Sequence, residues 1–126
     1  MKSIHTDNAP AAVGPYSQAI RAENLLFISG QIPLNPSSMK VESADIREQA
    51  KTVLNNLFAI LEASGACTDS VVKTTVYLKS MNDYGVVNEE YERFFKSHKP
   101  ARVCIEVARL PRDVLVEIDA IAMVAN

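Results

Sequence analysis

Between Leu25 and Val124 the chain repeatedly places apolar residues at every second position, the signature of strands that each bury one face. The clearest such segments are Leu25 to Gln31 (LLFISGQ), Val71 to Leu78 (VVKTTVYL), Ala101 to Ala108 and Val114 to Val124, rich in β-branched and aromatic residues. A further short strand, Tyr16 to Ile20, follows the Gly14-Pro15 breaker. The period changes to that of a helix in two places. Ile46, Ala50, Val53, Leu54, Leu57 and Leu61 keep helical spacing after Asp45 and Glu48, a capping-box pair, and Gly65 is a natural stop. A second helix is predicted from about Tyr84 to Lys96, burying Val87, Tyr91, Phe94 and Phe95. The order ββαβαββ describes an α+β protein: a mixed sheet with both helices on one face, in one domain spanning residues 1–126.

The alternation splits every strand into two sets. Leu26 and Ile28; Val72, Thr74, Val76 and Leu78; Val103, Ile105 and Val107; and Val114, Val116 and Ile118 suit packing under the helices. The opposite set holds Phe27, Ser29 and Gln31; Thr75 and Tyr77; Arg102, Cys104 and Glu106; and Glu117, Asp119, Ile121 and Met123. It is too polar for a dry core and too apolar for a solvated face, so it is expected to be an association surface. The alternation does not fix how many subunits meet there.

Charge and cysteine use narrow the classes of function. Net charge is −2, with no basic stripe or tail, which argues against attraction to a nucleic-acid backbone. No apolar run approaches the roughly 20 residues that span a bilayer, and the polar start MKSIHTD carries no signal-peptide core. Cys67 and Cys104 are far apart and belong to no Cys/His cluster, so neither a disulfide framework nor a structural zinc is expected. A reducing compartment, most simply the cytosol, follows.

Several residues are candidates for chemistry. Arg102 offers a rigid fork of donors matched to a carboxylate, and Glu117 is a carboxyl group able to position water and exchange protons. The same two residues could instead form an interface ion pair. Burial would raise the proton affinity of Glu117 and a neighbouring arginine would lower it, and the sequence leaves both open. Cys104 could be a nucleophile, but the only histidines, His5 and His98, bear no spacing to it that suggests a dyad. As a small apolar residue it would shape a pocket, its carbonyl accepting from a substrate nitrogen. Tyr16, after the rigid Gly14-Pro15 turn, either rims a cleft or packs at a strand start. At Ser29-Gly30 the glycine would admit a ligand close to the backbone, or mark a plain bulge. Asn88 could face solvent or cap a loop.

Read together, these segments resemble the Rid family (YjgF-type proteins), in particular its RidA subgroup of reactive-intermediate deaminases, over essentially the whole chain. The stretches that carry the likeness are Gly14-Pro15-Tyr16-Ser17-Gln18-Ala19, Ser29-Gly30-Gln31-Ile32-Pro33, Val72 to Tyr77, Asn88-x-x-Tyr91-x-x-Phe94-Phe95, Pro100-Ala101-Arg102, Glu106 to Pro111, and Val116-Glu117-Ile118. The resemblance implies a chorismate-mutase-like fold and a homotrimer with sites between subunits. It implies hydrolysis of carboxylate-bearing enamines and imines, such as 2-aminoacrylate and 2-iminobutanoate, to 2-oxo acids and ammonia, with no metal or organic cofactor. Arg102 would hold the substrate carboxylate and Glu117 would orient or activate water, with Tyr16, Ser29, Gly30, Asn88 and Cys104 lining the pocket. The family often has serine after the Pro-Ala-Arg arginine; here Val103 stands there and is expected to point into the helix-covered core. An endoribonuclease or translation-inhibitor activity, a label also attached to the family, and a non-catalytic metabolite-binding module are the rival expectations.

Overall fold

A computed structural model describes residues 1–125. The strands are β1 (Lys2–Ile4), β2 (Ala19–Ala22), β3 (Leu25–Gln31), β4 (Val71–Leu78), β5 (Ala101–Glu106) and β6 (Val116–Met123). The α-helices are α1 (Ile46–Ala63) and α2 (Tyr84–Phe95). One six-stranded sheet runs in the order β1-β2-β3-β6-β4-β5. Its pairs are antiparallel except β4 with β5, a parallel pair connected through α2, as parallel neighbours require a crossover.

Helix α1 begins as its sequence dictates: Asp45 is the N-cap and its carboxylate accepts from the Glu48 amide at 3.1 Å. The reciprocal half of the capping box is not made, because the Asp45 amide donates to Ser43 Oγ instead. Val53, Leu57, Ile60 and Leu61 lie fully buried on the sheet-facing side of α1. Each such side chain contributes roughly 1.5–3 kcal/mol relative to exposure. Helix α2 adds Val87, Tyr91 and Phe95 to the same core, which meets Leu26, Ile28, Val76, Leu78, Val116, Ile118 and Ala120 from the sheet. Both helices therefore cover one face and the other stays open.

Three features differ from expectation. The element order is βββαβαββ, because Lys2–Ile4 forms an edge strand on β2, with Ser3 opposite Ile20. Three residues, two of them polar, are too few to show a period. Second, residues 16–18 precede the strand; β2 covers Ala19–Ala22. Third, the phase of β5 is inverted. Val103 and Ile105 are each 42 % exposed, while Cys104 packs against the core, so Arg102 and Cys104 share the helix side and Val103 faces out. In ARVCIE the more apolar set, Ala101, Val103 and Ile105, is the one turned outward; the strand lies at the sheet edge, where Asn88 and Tyr84 of α2 accept from Arg102 on the helix side. Smaller irregularities move Val71 into the core, leaving Val72 exposed, and bury Gln31.

The open face therefore carries Phe27 and Met123 beside Ile121, Thr75 between Asp119 and Val103, and Tyr77 between Glu117 and Ile105. Its mixture of large apolar and charged groups is as expected, with Val103 and Ile105 replacing Arg102 and Cys104.

Candidate functional site

The residues singled out from the sequence fall into two groups on one subunit. The first gathers where α2 begins above the edge strand β5. Tyr84 and Asn88 are one helical turn apart and Tyr91 is nearly a turn further, so the three present oxygen atoms and a ring face on one side of α2. Arg102 reaches up to them. It donates from one terminal nitrogen to Asn88 Oδ1 at 2.7 Å and from the other to Tyr84 Oη at 2.9 Å. The guanidinium carbon sits 4.9 Å from the Tyr91 ring centre and 5.5 Å from that of Tyr84, within cation–π range.

These partners are neutral oxygens and rings, and no ion pair is formed by Arg102 among the described residues. Two of the five guanidinium N–H groups are used, which leaves donors for an incoming anion. A cavity of about 390 Å³ opens beside it, with Tyr91 and Phe95 on one side and Lys96, Lys99 and Pro100 on another. Cys104, two residues along the strand, is half-buried; burial pushes its thiol up, and the Arg102 charge opposes this. Neither histidine attends it: His5 pairs with Asp7 at 3.0 Å and His98 Nε2 lies 2.6 Å from the Val71 carbonyl. A raised, unassisted thiol does not suit a nucleophile.

The second group gathers on β3 and β6, the central strands of the sheet, and on the loop before β2. Strand β3 bulges after Ile28: Ile28 pairs with Ala120 and Gln31 with Ile118, so the Ser29-Gly30 pair is crowded outward relative to β6. Glu117, between buried Val116 and Ile118, points to the open face and lies against this bulge; a Cβ on Gly30 would stand 1.9 Å from Glu117 Oε2. The Ser29 amide donates to the Gln18 carbonyl at 3.0 Å and its hydroxyl to the Ser17 carbonyl at 2.6 Å, pinning the bulge to the N-terminal loop. On that loop Gly14, at φ 125°, makes a tight turn that leaves Tyr16 exposed. Tyr16 and Gly30 line a cavity of about 210 Å³.

Glu117 is half-buried and accepts no hydrogen bond among the described residues. Burial pushes its carboxyl group up, and the neighbouring Asp119 carboxylate adds to the effect. Asp119 is itself held by Tyr77, whose hydroxyl donates to it at 2.8 Å. Of the opposing influences weighed on Glu117, burial prevails, since no arginine reaches it within the subunit.

Within one chain, then, Arg102 and Glu117 are not brought together. Strand β4 lies between theirs, and the two side chains leave opposite faces of the sheet. No ion pair joins them within one chain. Asn88 neither faces solvent nor caps a loop but receives Arg102. Tyr84, Thr74, Tyr77 and Asp119 were not singled out from the sequence as site residues. The spacing Tyr84, Asn88, Tyr91, polar groups on one stripe of an amphipathic helix, is the signal that points to the first and to the role of Asn88.

Among the described residues, no group of His, Cys, Asp and Glu is arranged to hold a metal ion, and no helix is long and apolar enough to cross a membrane.

Comparison with known proteins places this geometry in a family. The family model described as Endoribonuclease L-PSP matches residues 6–124. A RutC family protein of Pyrococcus horikoshii is 56 % identical over 119 residues, covering 94 % of each chain. A protein of Escherichia coli K12 named 2-iminobutanoate/2-iminopropanoate deaminase is 51 % identical over 125 residues, covering 97 % of each. The crystal structure of E. coli TdcF with bound serine superposes with a TM-score of 0.95 at 41 % identity, covering 99 % of this chain and 100 % of that one. On sequence and fold alike, this chain belongs to the YjgF/Rid family, whose model bears the description Endoribonuclease L-PSP.

Proposed function

We propose that the chain is a cofactor-independent deaminase that hydrolyses reactive 2-enamino and 2-imino acids, such as 2-aminoacrylate and 2-iminobutanoate, to 2-oxo acids and ammonia. The carrying observation is Arg102, a guanidinium supported entirely by neutral groups and opening on a cavity with donors to spare. Such a group seeks a carboxylate. The Escherichia coli relative at 51 % identity is named for this activity, and a relative of the same fold binds serine, an amino acid with the same carboxylate.

The site is completed by association. The open face, with Phe27, Val103, Ile105 and Met123 exposed around Glu117 and Asp119, suits packing against another copy in a homotrimer. Arg102 of one subunit then meets Glu117, Tyr16, Ser29 and Gly30 of its neighbour, with Asn88 and Cys104 lining the pocket. This is a small-molecule site in a reducing compartment such as the cytosol; nucleic acid is not its partner.

The chemistry follows from these groups. Arg102 holds the substrate carboxylate and fixes the adjacent C=N carbon. Water adds to that carbon: a C–O bond forms, the C=N π pair moves to nitrogen, and Glu117 takes a proton from the water and gives one to the nitrogen. The resulting carbinolamine then breaks its C–N bond. Its hydroxyl proton passes through Glu117 to the departing ammonia, leaving the ketone. Within its own subunit burial and the Asp119 charge hold this carboxyl group above its ordinary range and the neighbour's Arg102 opposes them, a balance that suits both directions of transfer. Since such imines also hydrolyse in water, orientation and proton transfer suffice. The edge position of β5 leaves backbone carbonyls to accept from the substrate nitrogen, the role assigned to Cys104.

The test adds the protein to a threonine dehydratase reaction and follows 2-oxobutanoate. Acceleration by wild type and none by Arg102→Ala supports the reading; equal rates with wild type, variant and no protein refute it. The ribonuclease reading, favoured by the description of the matching family model, predicts RNA cleavage by the same preparation. A non-catalytic metabolite sensor predicts binding of 2-oxobutanoate without acceleration.

A further inference from the structure

We infer that Thr74 and Tyr91 are positioning residues for Arg102, a buried hydroxyl pair that fixes the plane in which the guanidinium meets its ligand. The inference rests on the reading of Arg102 as the carboxylate anchor and goes beyond it in naming what holds that anchor.

Three elements converge here. Thr74 on β4 and Arg102 on β5 are direct register partners, so their side chains leave the same face side by side. Tyr91 descends from α2 onto both. Its hydroxyl lies 2.7 Å from Thr74 Oγ1, and its ring centre lies 4.9 Å from the guanidinium carbon. Thr74 is 1 % exposed and Tyr91 9 %, so the pair is formed away from water.

The chemistry of Thr74 is what singles it out. Its neighbours on the same face, Val76 and Leu78, are fully buried and apolar. Valine has nearly the same shape and would fill the position without burying a polar group. Threonine is justified only by its bond to Tyr91, since a buried hydroxyl without a partner is costly. That bond sets the height and tilt of the phenol ring. The ring in turn supports the face of the guanidinium, while Asn88 and Tyr84 hold its edges. Two edge contacts leave a planar group free to rock about the line joining them; a ring beneath it removes that motion. Burial pushes the Tyr91 phenol up, so the ring stays neutral and carries its electron-rich face without a competing charge.

Two independent readouts test this in the full-length protein. The first is deamination of 2-iminobutanoate, resolved into kcat and KM. Thr74→Val is expected to raise KM about three- to tenfold, the effect of one lost hydrogen bond, with kcat changed by less than about twofold because the loss falls on binding. Thr74→Ser restores the wild-type value, and Tyr91→Leu exceeds the effect of Tyr91→Phe. The second is the Nε–H signal of Arg102 in a 15N spectrum, identified by its disappearance in Arg102→Lys. Its exchange with solvent is expected to quicken in Thr74→Val and Tyr91→Phe and to return in Thr74→Ser. An unchanged KM and unchanged Arg102 exchange in Thr74→Val overturn the inference, as does a fall in kcat at constant KM. Should wild type not deaminate at all, the functional reading fails on its own, and the exchange rates still decide whether Thr74 and Tyr91 hold Arg102.

Discussion

Gly30 leaves the space that the Glu117 carboxyl group fills: a Cβ on Gly30 would lie 1.9 Å from Glu117 Oε2 and 2.9 Å from its carboxyl carbon. The backbone at Gly30 lies outside the left-handed region, so alanine is allowed there conformationally and, within the subunit, its methyl meets only the Glu117 side chain. Gly30→Ala is therefore expected to move the Glu117 carboxyl group while the fold stands. Because the atom displaced ends a flexible side chain, the cost in stability should fall near the low end of overpacking, about 1 kcal/mol. A displacement of this kind lowers kcat on the order of 10²-fold. Thermal melts beside steady-state kinetics separate the two effects.

The direction of the Glu117 shift gives a pH dependence with a definite sign. Below the ordinary carboxyl range the group is protonated in both folded and unfolded chains and costs nothing. As pH rises through that range the unfolded chain ionises first, and above the raised folded value the buried charge must be carried by the native state. Stability is thus lost as pH rises from the ordinary value through the raised one. Glu117→Gln lacks this loss, so the melting temperature of its dissociated subunits should gain on that of dissociated wild type from acid to neutral pH. Asp119→Asn removes a repelling charge and should shift the acid limb of kcat/KM to lower pH. An unmoved limb would show burial acting alone.

Cys104 is half-buried beside the core, its thiol pushed up, with no histidine attending it. Cys104→Ser is accordingly expected to keep kcat within about threefold of wild type, whereas loss of a covalent nucleophile costs orders of magnitude. Preincubation with an alkylating agent checks the same point from the other side: inactivation by bulk, with full turnover in the serine variant.

Ile105 and Val103 are each 42 % exposed on the open face in a single subunit. Ile105→Glu leaves the core untouched but would place a charge in an apolar contact between subunits, a cost of several kcal/mol. Sedimentation should show wild type at about three times 13.8 kDa and the variant at the mass of one chain. Deaminase activity should vanish with the assembly.

Much of this architecture is legible in the sequence because the relevant patterns are long. The stripe Ala50, Val53, Leu54, Leu57, Leu61 and the alternation of Val116 to Met123 admit one reading each. Lys2–Ile4 is too short to carry a pattern and becomes a strand only through pairing with β2. The inversion at Arg102 has a different origin. In ARVCIE the side with Ala101, Val103 and Ile105 is the more apolar, and Arg102 and Glu106 flank Cys104 on the other, so the local pattern points to the opposite phase. What decides is tertiary: Tyr84 and Asn88 on α2 give the guanidinium acceptors on the helix side. The residues of the site are individually readable, whereas their division between two faces is not, since it follows from the phase that α2 imposes on β5.

That division is the centre of the account, and intersubunit complementation tests it most directly. Arg102→Ala and Glu117→Gln, each expected to be inactive alone, are unfolded together in equal amounts and refolded, and the exchange of subunits is verified by native mass spectrometry. If each site takes its arginine from one subunit and its glutamate from the next, about one site in four is intact in the mixture, half of one choice times half of the other. Formation of 2-oxobutanoate should return to about a quarter of the wild-type rate. A mixture that contains hybrid trimers and stays as inactive as its parents would contradict a site shared between Arg102 and Glu117 of adjoining chains.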